Sequence, residues 1–399
     1  MRAVDDWVID CDTHITEPGD VWTARLPARF QADAPRIVRD DYGFDSWIFG
    51  SSARIVPVGH TAVAGWPEPF PAAPRNMDEI PAAAHDATAR LAYMDEIGVW
   101  ACALYPNIGG FGSESFLSLP DPELKLACVR AYNDWLLDWI APAPGRFIPV
   151  MAVPYWDVAA TIAEIERCAP RGHKGILFTG EPQELGLPYL GDRHWDPLWA
   201  AASATGLPIS FHIGSGDFTK EFALERLAAH GLGPTVSRST VTLCLKNAAQ
   251  VTDLLLSGVL PRFPGTKFVS VESGIGWVPF VLEGADYTFA YSNGARERPE
   301  YTMRPSEYFH RQVFACYLFE EHAVRTDLEA IGRENVLFET DYPHPVCLYG
   351  NVREKIAASL ATRSDADASL LLWANAAKLY GVAKPDRPWA GAATHAPSP

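Results

Sequence analysis

"WDPLWAAASATGLPISFHIG", residues 195–214, is the stretch on which the fold is read. Residues 195–207 read as an amphipathic helix, and Gly206 and Pro208 end it and lead directly into a strand. The strand, "PISFHIG", is apolar on both sides, as a parallel strand covered on both faces must be. Its one ionisable residue, His212, comes late.

The same unit recurs along the chain. Apolar runs occur at 7–15, 99–107, 146–154, 174–180, 208–214, 267–274, 311–319 and 335–344, with amphipathic helices such as 121–141 and 157–169 between them. Eight strands with helical crossovers predict an α/β fold, a (β/α)8 TIM barrel, ahead of an open doubly wound sheet. No GxGxxG follows the first strand, which speaks against dinucleotide binding. The expected organisation is one barrel domain over 1–385, with an insertion at 16–80 after the first strand. In that insertion "YGFDSWIFG" and "ARIVPVG" read as a small hairpin. Segments 215–240 and 292–310 read as further long connections at the C-terminal face, and 386–399 as a flexible tail.

Lys plus Arg is 33 and Asp plus Glu is 49, giving a formal charge of −16. That balance argues against nucleic acid or an anionic membrane as partner, since both attract basic surfaces. The seven cysteines are scattered without a CxxC pair, as in a reduced, cytoplasmic protein. No apolar run approaches the roughly 20 residues of a membrane span, and "MRAVDDWVID" lacks the apolar core of a signal peptide.

The polar residues fall late in their strands, where a barrel keeps its chemistry. The first strand, "WVIDCDTHI" (7–15), alternates so that Asp10, Asp12 and His14 are expected on one face and Cys11, Thr13 and Ile15 on the other. The fifth strand ends with His212, the sixth with Glu272 and the eighth with Asp341, followed by His344. Oxygen and imidazole donors delivered to one place suit Zn, Mn or Fe.

The motifs "DCDTH", "FHIG", "VESGIGWVPF", "PSEYF", "FETDYPHP" and "NAAKLYG" together resemble the amidohydrolase-related (amidohydrolase 2) family. Within it they resemble the branch of aminocarboxymuconate-semialdehyde decarboxylase and the benzoate-type decarboxylases. The resemblance spans 7–382. It implies the same (β/α)8 barrel, one divalent metal (zinc first, manganese or iron next) held by Asp12, His14, His212 and Asp341, and a homodimer. Two departures stand out. Glu272 replaces the usual sixth-strand His, and Lys174 lies at the wrong end of its strand for a bridging ligand and reads as structural.

Asp341 is expected to relay protons, with Glu272 as a second base or substrate holder, or else an acceptor for the "GIGW" backbone. His344 is expected to orient Asp341, to meet a substrate anion, or to serve the turn. Asp10 is expected to support the first-strand ligands and Glu17 to cap the strand. Trp22, Trp47, Trp66, Trp277 and Tyr155 are candidates to line a pocket for a ring-bearing small molecule, and the helix at "NDWLLDWI" (133–140) is a candidate subunit interface as well as core. The expected activity is metal-dependent hydrolysis of an amide, ester or related carbonyl. The alternative is non-oxidative decarboxylation, and from another class, an inactive ligand-binding barrel.

Overall fold

β1 (Val8–His14) is buried along its whole length. A computed structural model describes residues 3–50, 56–111, 113–215 and 224–393. After β1 come three short antiparallel strands, β2 (Arg36–Arg39), β3 (Asp45–Ile48) and β4 (Val56–Pro57), which form a sheet of their own. Seven more buried strands follow: β5 (Val99–Tyr105), β6 (Phe147–Met151), β7 (Gly175–Leu177), β8 (Ile209–His212), β9 (Phe268–Val271), β10 (Val313–Tyr317) and β11 (Val336–Phe338). They pair in the order β1-β5-β6-β7-β8-β9-β10-β11, each pair parallel. The ring closes where the His14 N–H donates to Tyr342 O at 2.7 Å and the Asp341 N–H to Asp12 O at 3.0 Å. The result is a (β/α)8 barrel whose eight strands fall on the eight apolar runs.

Helix boundaries follow local chemistry. Asp86 accepts from the Ala89 N–H to start the helix Ala87–Ile97, which ends at Gly98 with φ 75° one residue before β5. The helix Asp196–Thr205 ends at Gly206 with φ 70°, and Pro208 then leads into β8. Two layers of core result. Ile9, Cys11, Ala103, Val150, Val271 and Leu337 fill the barrel interior, and Val8, Phe147, Trp199 and Phe268 belong to the outer core between strands and helices.

Several expectations change in part. Segment 215–240 is not simply a connection: Leu224–His230 and the 25-residue helix Leu232–Leu256 occupy most of it, while 216–223 lies outside the described residues. Gly233 and Pro234 look like loop signals, but a first helical turn tolerates both because its N–H groups are unpaired anyway. Segment 292–310 likewise contains the helices Gly294–Glu297 and Pro305–Gln312. The expected pair of strands in the insertion is present as antiparallel β3 and β4, and β2, unforeseen, adds to β3; residues 51–55 lie outside the described residues. In "NDWLLDWI", Trp135, Leu136 and Ile140 are buried within this chain, which bears out the core part of its reading. The C-terminal segment is packed as far as Trp389, whose Nε1 donates to Asp95 O at 2.8 Å; 394–399 lies outside the described residues.

Candidate metal centre

β1 does not alternate cleanly. Its register against β5 shifts between Asp10 and Thr13, and the shift separates two residues expected to share a face. Cys11 points into the barrel interior. Asp10 turns to the β11 side, where its carboxylate accepts from the Thr340 N–H (2.9 Å), the Thr340 hydroxyl (2.6 Å) and the Asp12 N–H (3.3 Å). Asp10 therefore ties together the two strand ends that carry Asp12 and Asp341. Thr13 bonds to Ala103 O, and the buried Arg90 clamps the strand end by donating to His14 O at 2.6 Å.

Beyond the shift, Asp12 and His14 meet residues from β8 and from the turns after β9 and β11. His14 Nε2 is 3.4 Å from Asp12 Oδ1 and 3.4 Å from Asp341 Oδ1. His212 Nε2 is 3.5 Å from Asp12 Oδ1, 3.5 Å from Glu272 Oε2 and 3.2 Å from His14 Nε2. His212 Nδ1 lies 2.8 Å from Ile213 O. That carbonyl only accepts, so Nδ1 carries the proton and Nε2 turns its lone pair to the centre, the arrangement of a metal-ligating histidine.

Asp12, His14, His212 and Glu272 each offer one donor atom within 4.8 Å of the others, as do His14, Glu272, Asp341 and His344. Both carboxylate oxygens of Asp12 and of Asp341 are buried without a hydrogen-bond donor. Buried oxygens without donors, facing imidazole lone pairs, fit a bound cation. The titration pattern agrees. Burial raises the Asp12 carboxyl, and burial with Glu272 and Asp12 nearby holds Asp341 well above the carboxylate range. Burial pushes Glu272 up to about 8. Burial, with His344 and His212 beside it, pushes His14 well below the imidazole range. Each group is displaced toward its neutral form except His212, where Asp12 and Glu272 outweigh burial. The cluster is short of positive charge.

Glu272 and Asp341 both adopt left-handed backbone, φ 55° and 59°. Such conformations persist in non-glycine residues only where surrounding bonds enforce them. Glu339, buried, accepts from the Glu272 N–H at 3.0 Å. Glu320 accepts from the Ile275 and Gly276 N–H groups. The "GIGW" backbone is therefore held by Glu320, and Glu272 is left to face the centre. His344 Nδ1 sits 2.9 Å from Asp341 Oδ1, and its ring stacks on His14 at 3.8 Å. Its Nε2 is 2.5 Å from Asn107 Oδ1. The Asn107 amide is fixed because its NH2 donates to Ile15 O at 2.8 Å. Asn107 therefore offers only an acceptor, and His344 must hold a proton on Nε2. Glu17 caps no helix or strand: it is buried and accepts from the Asn107 and Ile108 N–H groups at 2.8 and 3.2 Å. Lys174 immediately precedes β7, at the opposite end of the barrel, its N–H bonded to Pro149 O.

A cavity of about 420 Å³ opens over this cluster. Its walls include Val56, Ile108, Phe111, Ile213, Leu243 and Pro345, with His60, Thr61, Asn107, Glu272 and His344 among the polar lining. Phe111 stacks on His212 with ring centres 4.2 Å apart. None of the five expected aromatics lines it: Trp22, Trp47 and Tyr155 are core, Trp277 bonds to Ser273 O, and Trp66 lies beside a different surface pocket. Phe111, Asn107, Glu320 and Glu339 are absent from the sequence reading. Asn107, Glu320 and Glu339 follow apolar strands, so the strand-end rule applied to every run would have raised them; Phe111, in "NIGGFG", carries no periodic signal.

Residues 120–382 match the family model described as amidohydrolase. The chain belongs to the amidohydrolase family. This amidohydrolase is 24% identical over 305 residues to the gamma-resorcylate decarboxylase of a Polaromonas species, covering 73% of this chain and 86% of that protein. The crystal structure of an amidohydrolase from Mycobacterium avium subsp. paratuberculosis shares its fold with a TM-score of 0.73 at 24% identity, covering 94% of this chain and 99% of that one. The fold is also shared by a Polaromonas dihydroxybenzoic acid decarboxylase solved with manganese and the inhibitor 2-nitroresorcinol, with a TM-score of 0.64 at 18% identity and coverage of 96% and 98%. Among the described residues no helix is long and apolar enough to cross a membrane.

Proposed function

We propose that this amidohydrolase is a metal-dependent, non-oxidative decarboxylase of a small ring-bearing carboxylic acid. The observation that carries the reading is the Asp341–His344 pair, 2.9 Å apart, beside both the donor cluster and an apolar cavity. A proton held there, next to a pocket for a ring, suits protonation of a carbon that is losing CO2. The curated relatives that the chain matches over most of their length are decarboxylases, which favours this reading over the hydrolysis first expected.

Asp12, His14, His212 and Asp341 are the proposed ligands, and Glu272 extends the set within reach of His212. Three carboxylates and two imidazoles make an oxygen-rich site. That composition favours manganese over the zinc first expected, as does the manganese in the Polaromonas decarboxylase. An ion held by these residues would supply a Lewis acid to the substrate's carboxylate.

The rest is the work of side chains. Ile108, Phe111, Ile213 and Leu243 hold the ring and keep water from its face. The bond from ring carbon to carboxylate carbon breaks with its electron pair left on the ring. Asp341, whose carboxyl O–H faces the His344 Nδ1 lone pair, delivers its proton to that carbon, CO2 leaves, and a proton from solvent restores Asp341. Asn107 keeps the His344 ring in place through Nε2. The test is incubation of manganese-loaded protein with a panel of hydroxybenzoates in D2O. CO2 release with one deuterium on the vacated carbon supports the reading. Inertness toward the panel, together with hydrolysis of an amide or ester, returns the chain to the hydrolases.

A further inference from the structure

The insertion after β1 delivers one histidine to the cavity above the donor cluster. The single turn Val58–Thr61 follows β4, and Val58, Gly59 and Thr61 in it are buried. His60, between them, is half-buried and lines the cavity. The turn is firmly held. The Thr61 hydroxyl donates to Val58 O at 2.9 Å and the Ala62 N–H to Gly59 O at 3.1 Å. A Cβ at Gly59 would collide with Pro74 O, so glycine is required for that close approach. The next two N–H groups, of Val63 and Ala64, both donate to Pro343 O, at 3.0 and 3.1 Å. The turn is thereby tied to the segment that carries Asp341 and His344. The Phe70 ring meets the His60 imidazole edge-on, with ring centres 5.8 Å apart.

Hydrogen bonding separates His60 from most of the polar lining. The Thr61 hydroxyl, the Asn107 amide and both His344 nitrogens are already engaged inside the protein. Glu272 faces the donor cluster. Glu114 and Ser115 come from the chain after β5 rather than from this turn. Neither nitrogen of His60 makes a hydrogen bond among the described residues, and His60 belongs to neither donor group of the metal centre. Burial alone holds its imidazole below the usual range, so at neutral pH the ring offers one donor and one acceptor.

We propose that His60 selects the substrate by hydrogen-bonding a neutral hydroxyl on the ring, remote from the carboxylate. The inference rests on the decarboxylase reading and narrows its substrate to ring acids that carry such a hydroxyl. With the carboxylate at the donor cluster, an ortho hydroxyl stays beside it. A para hydroxyl sits at the far side of the ring, where a residue outside the cluster can meet it. Val56, Ile108, Phe111 and Leu243 supply apolar wall around that path, so a hydroxyl left without a partner there is penalised.

Two non-reacting probes test this, with a nitro group in the place of the carboxylate. They are 2-nitrophenol and 4-nitroresorcinol, which adds a hydroxyl para to the nitro group. Manganese-loaded wild type, His60→Leu and His60→Gln are titrated with each by calorimetry, with metal content and circular dichroism recorded. His60 is half-exposed, so neither substitution opens the core. The wild type is expected to bind 4-nitroresorcinol about tenfold more tightly than 2-nitrophenol, the worth of one hydrogen bond. His60→Leu should lose that preference while its manganese and its affinity for 2-nitrophenol stay unchanged. His60→Gln should keep part of it, because an amide also offers a donor and an acceptor. A preference that survives in His60→Leu overturns the proposal and leaves the decarboxylase reading standing, as does a wild type that binds both probes equally. A manganese-loaded wild type that binds neither probe overturns both.

Discussion

Asp10 offers the sharpest test of how the centre is held together, because its carboxylate accepts from three buried donors on two strand ends. Asp10→Ala leaves the Thr340 N–H, the Thr340 hydroxyl and the Asp12 N–H without that acceptor. An unsatisfied buried donor costs about 1–3 kcal/mol. With the Asp12 bond long at 3.3 Å and the other two short, the expected loss is about 3–5 kcal/mol. Asp10→Asn behaves differently. Its carbonyl oxygen can accept from both N–H groups, and its NH2 can donate to the Thr340 hydroxyl, so about 1 kcal/mol or less is lost. Burial already pushes the Asp10 carboxyl up to about 7, which makes a neutral side chain a close substitute. Urea unfolding of the three proteins supplies the midpoints and slopes. Metal affinity, measured alongside, should fall about 10–100-fold in Asp10→Ala because the residues that present the ligands lose their tie. If Asp10→Ala unfolds within about 1 kcal/mol of the wild type, Asp10 does not close the barrel. Equal damage from Ala and Asn would mean that charge rather than hydrogen bonding matters there.

Glu17→Gln should change how stability depends on pH. Burial pushes the Glu17 carboxyl up to about 7 from 4.5, so the folded state binds more protons than the unfolded one in that window. Wild-type stability therefore falls as pH rises from 4.5 to 7, and Glu17→Gln removes a penalty of about 3 kcal/mol above that window; parallel stability curves would refute this. Asp341→Asn should cut decarboxylation by about 10²–10⁴-fold in single-turnover assays with the fold intact, the usual worth of a proton-transferring group. Phe111→Ala should lower kcat/KM for ring substrates by about tenfold through lost packing, while metal content stays at the wild-type level; lost metal would instead make Phe111 a support for His212.

The barrel was legible because each buried parallel strand is a short apolar run bounded by turn residues, and all eight runs became strands. The donors were legible because Asp12, His212 and Asp341 interrupt or end those runs. Other features lay beyond periodicity. The register shift in β1 puts Asp10 and Asp12 to different uses, and strict alternation cannot reveal it. Glu339 sits two residues before Asp341, yet its role depends on the Glu272 N–H from the end of β9, two strands away. The helix Leu232–Leu256 was hidden by its own first turn, where Gly233 and Pro234 resemble a loop. Phe111 was passed over for larger aromatics, of which Trp22, Trp47 and Tyr155 belong to the core.

The central claim is that Asp12, His14, His212 and Asp341 exist in this arrangement to hold an ion. The direct measurement is elemental analysis of wild-type protein and His212→Ala, loaded with manganese and desalted together. About one divalent ion per chain is expected in the wild type, with the metal lost in His212→Ala. Equal metal in both proteins, or none in the wild type, would contradict it.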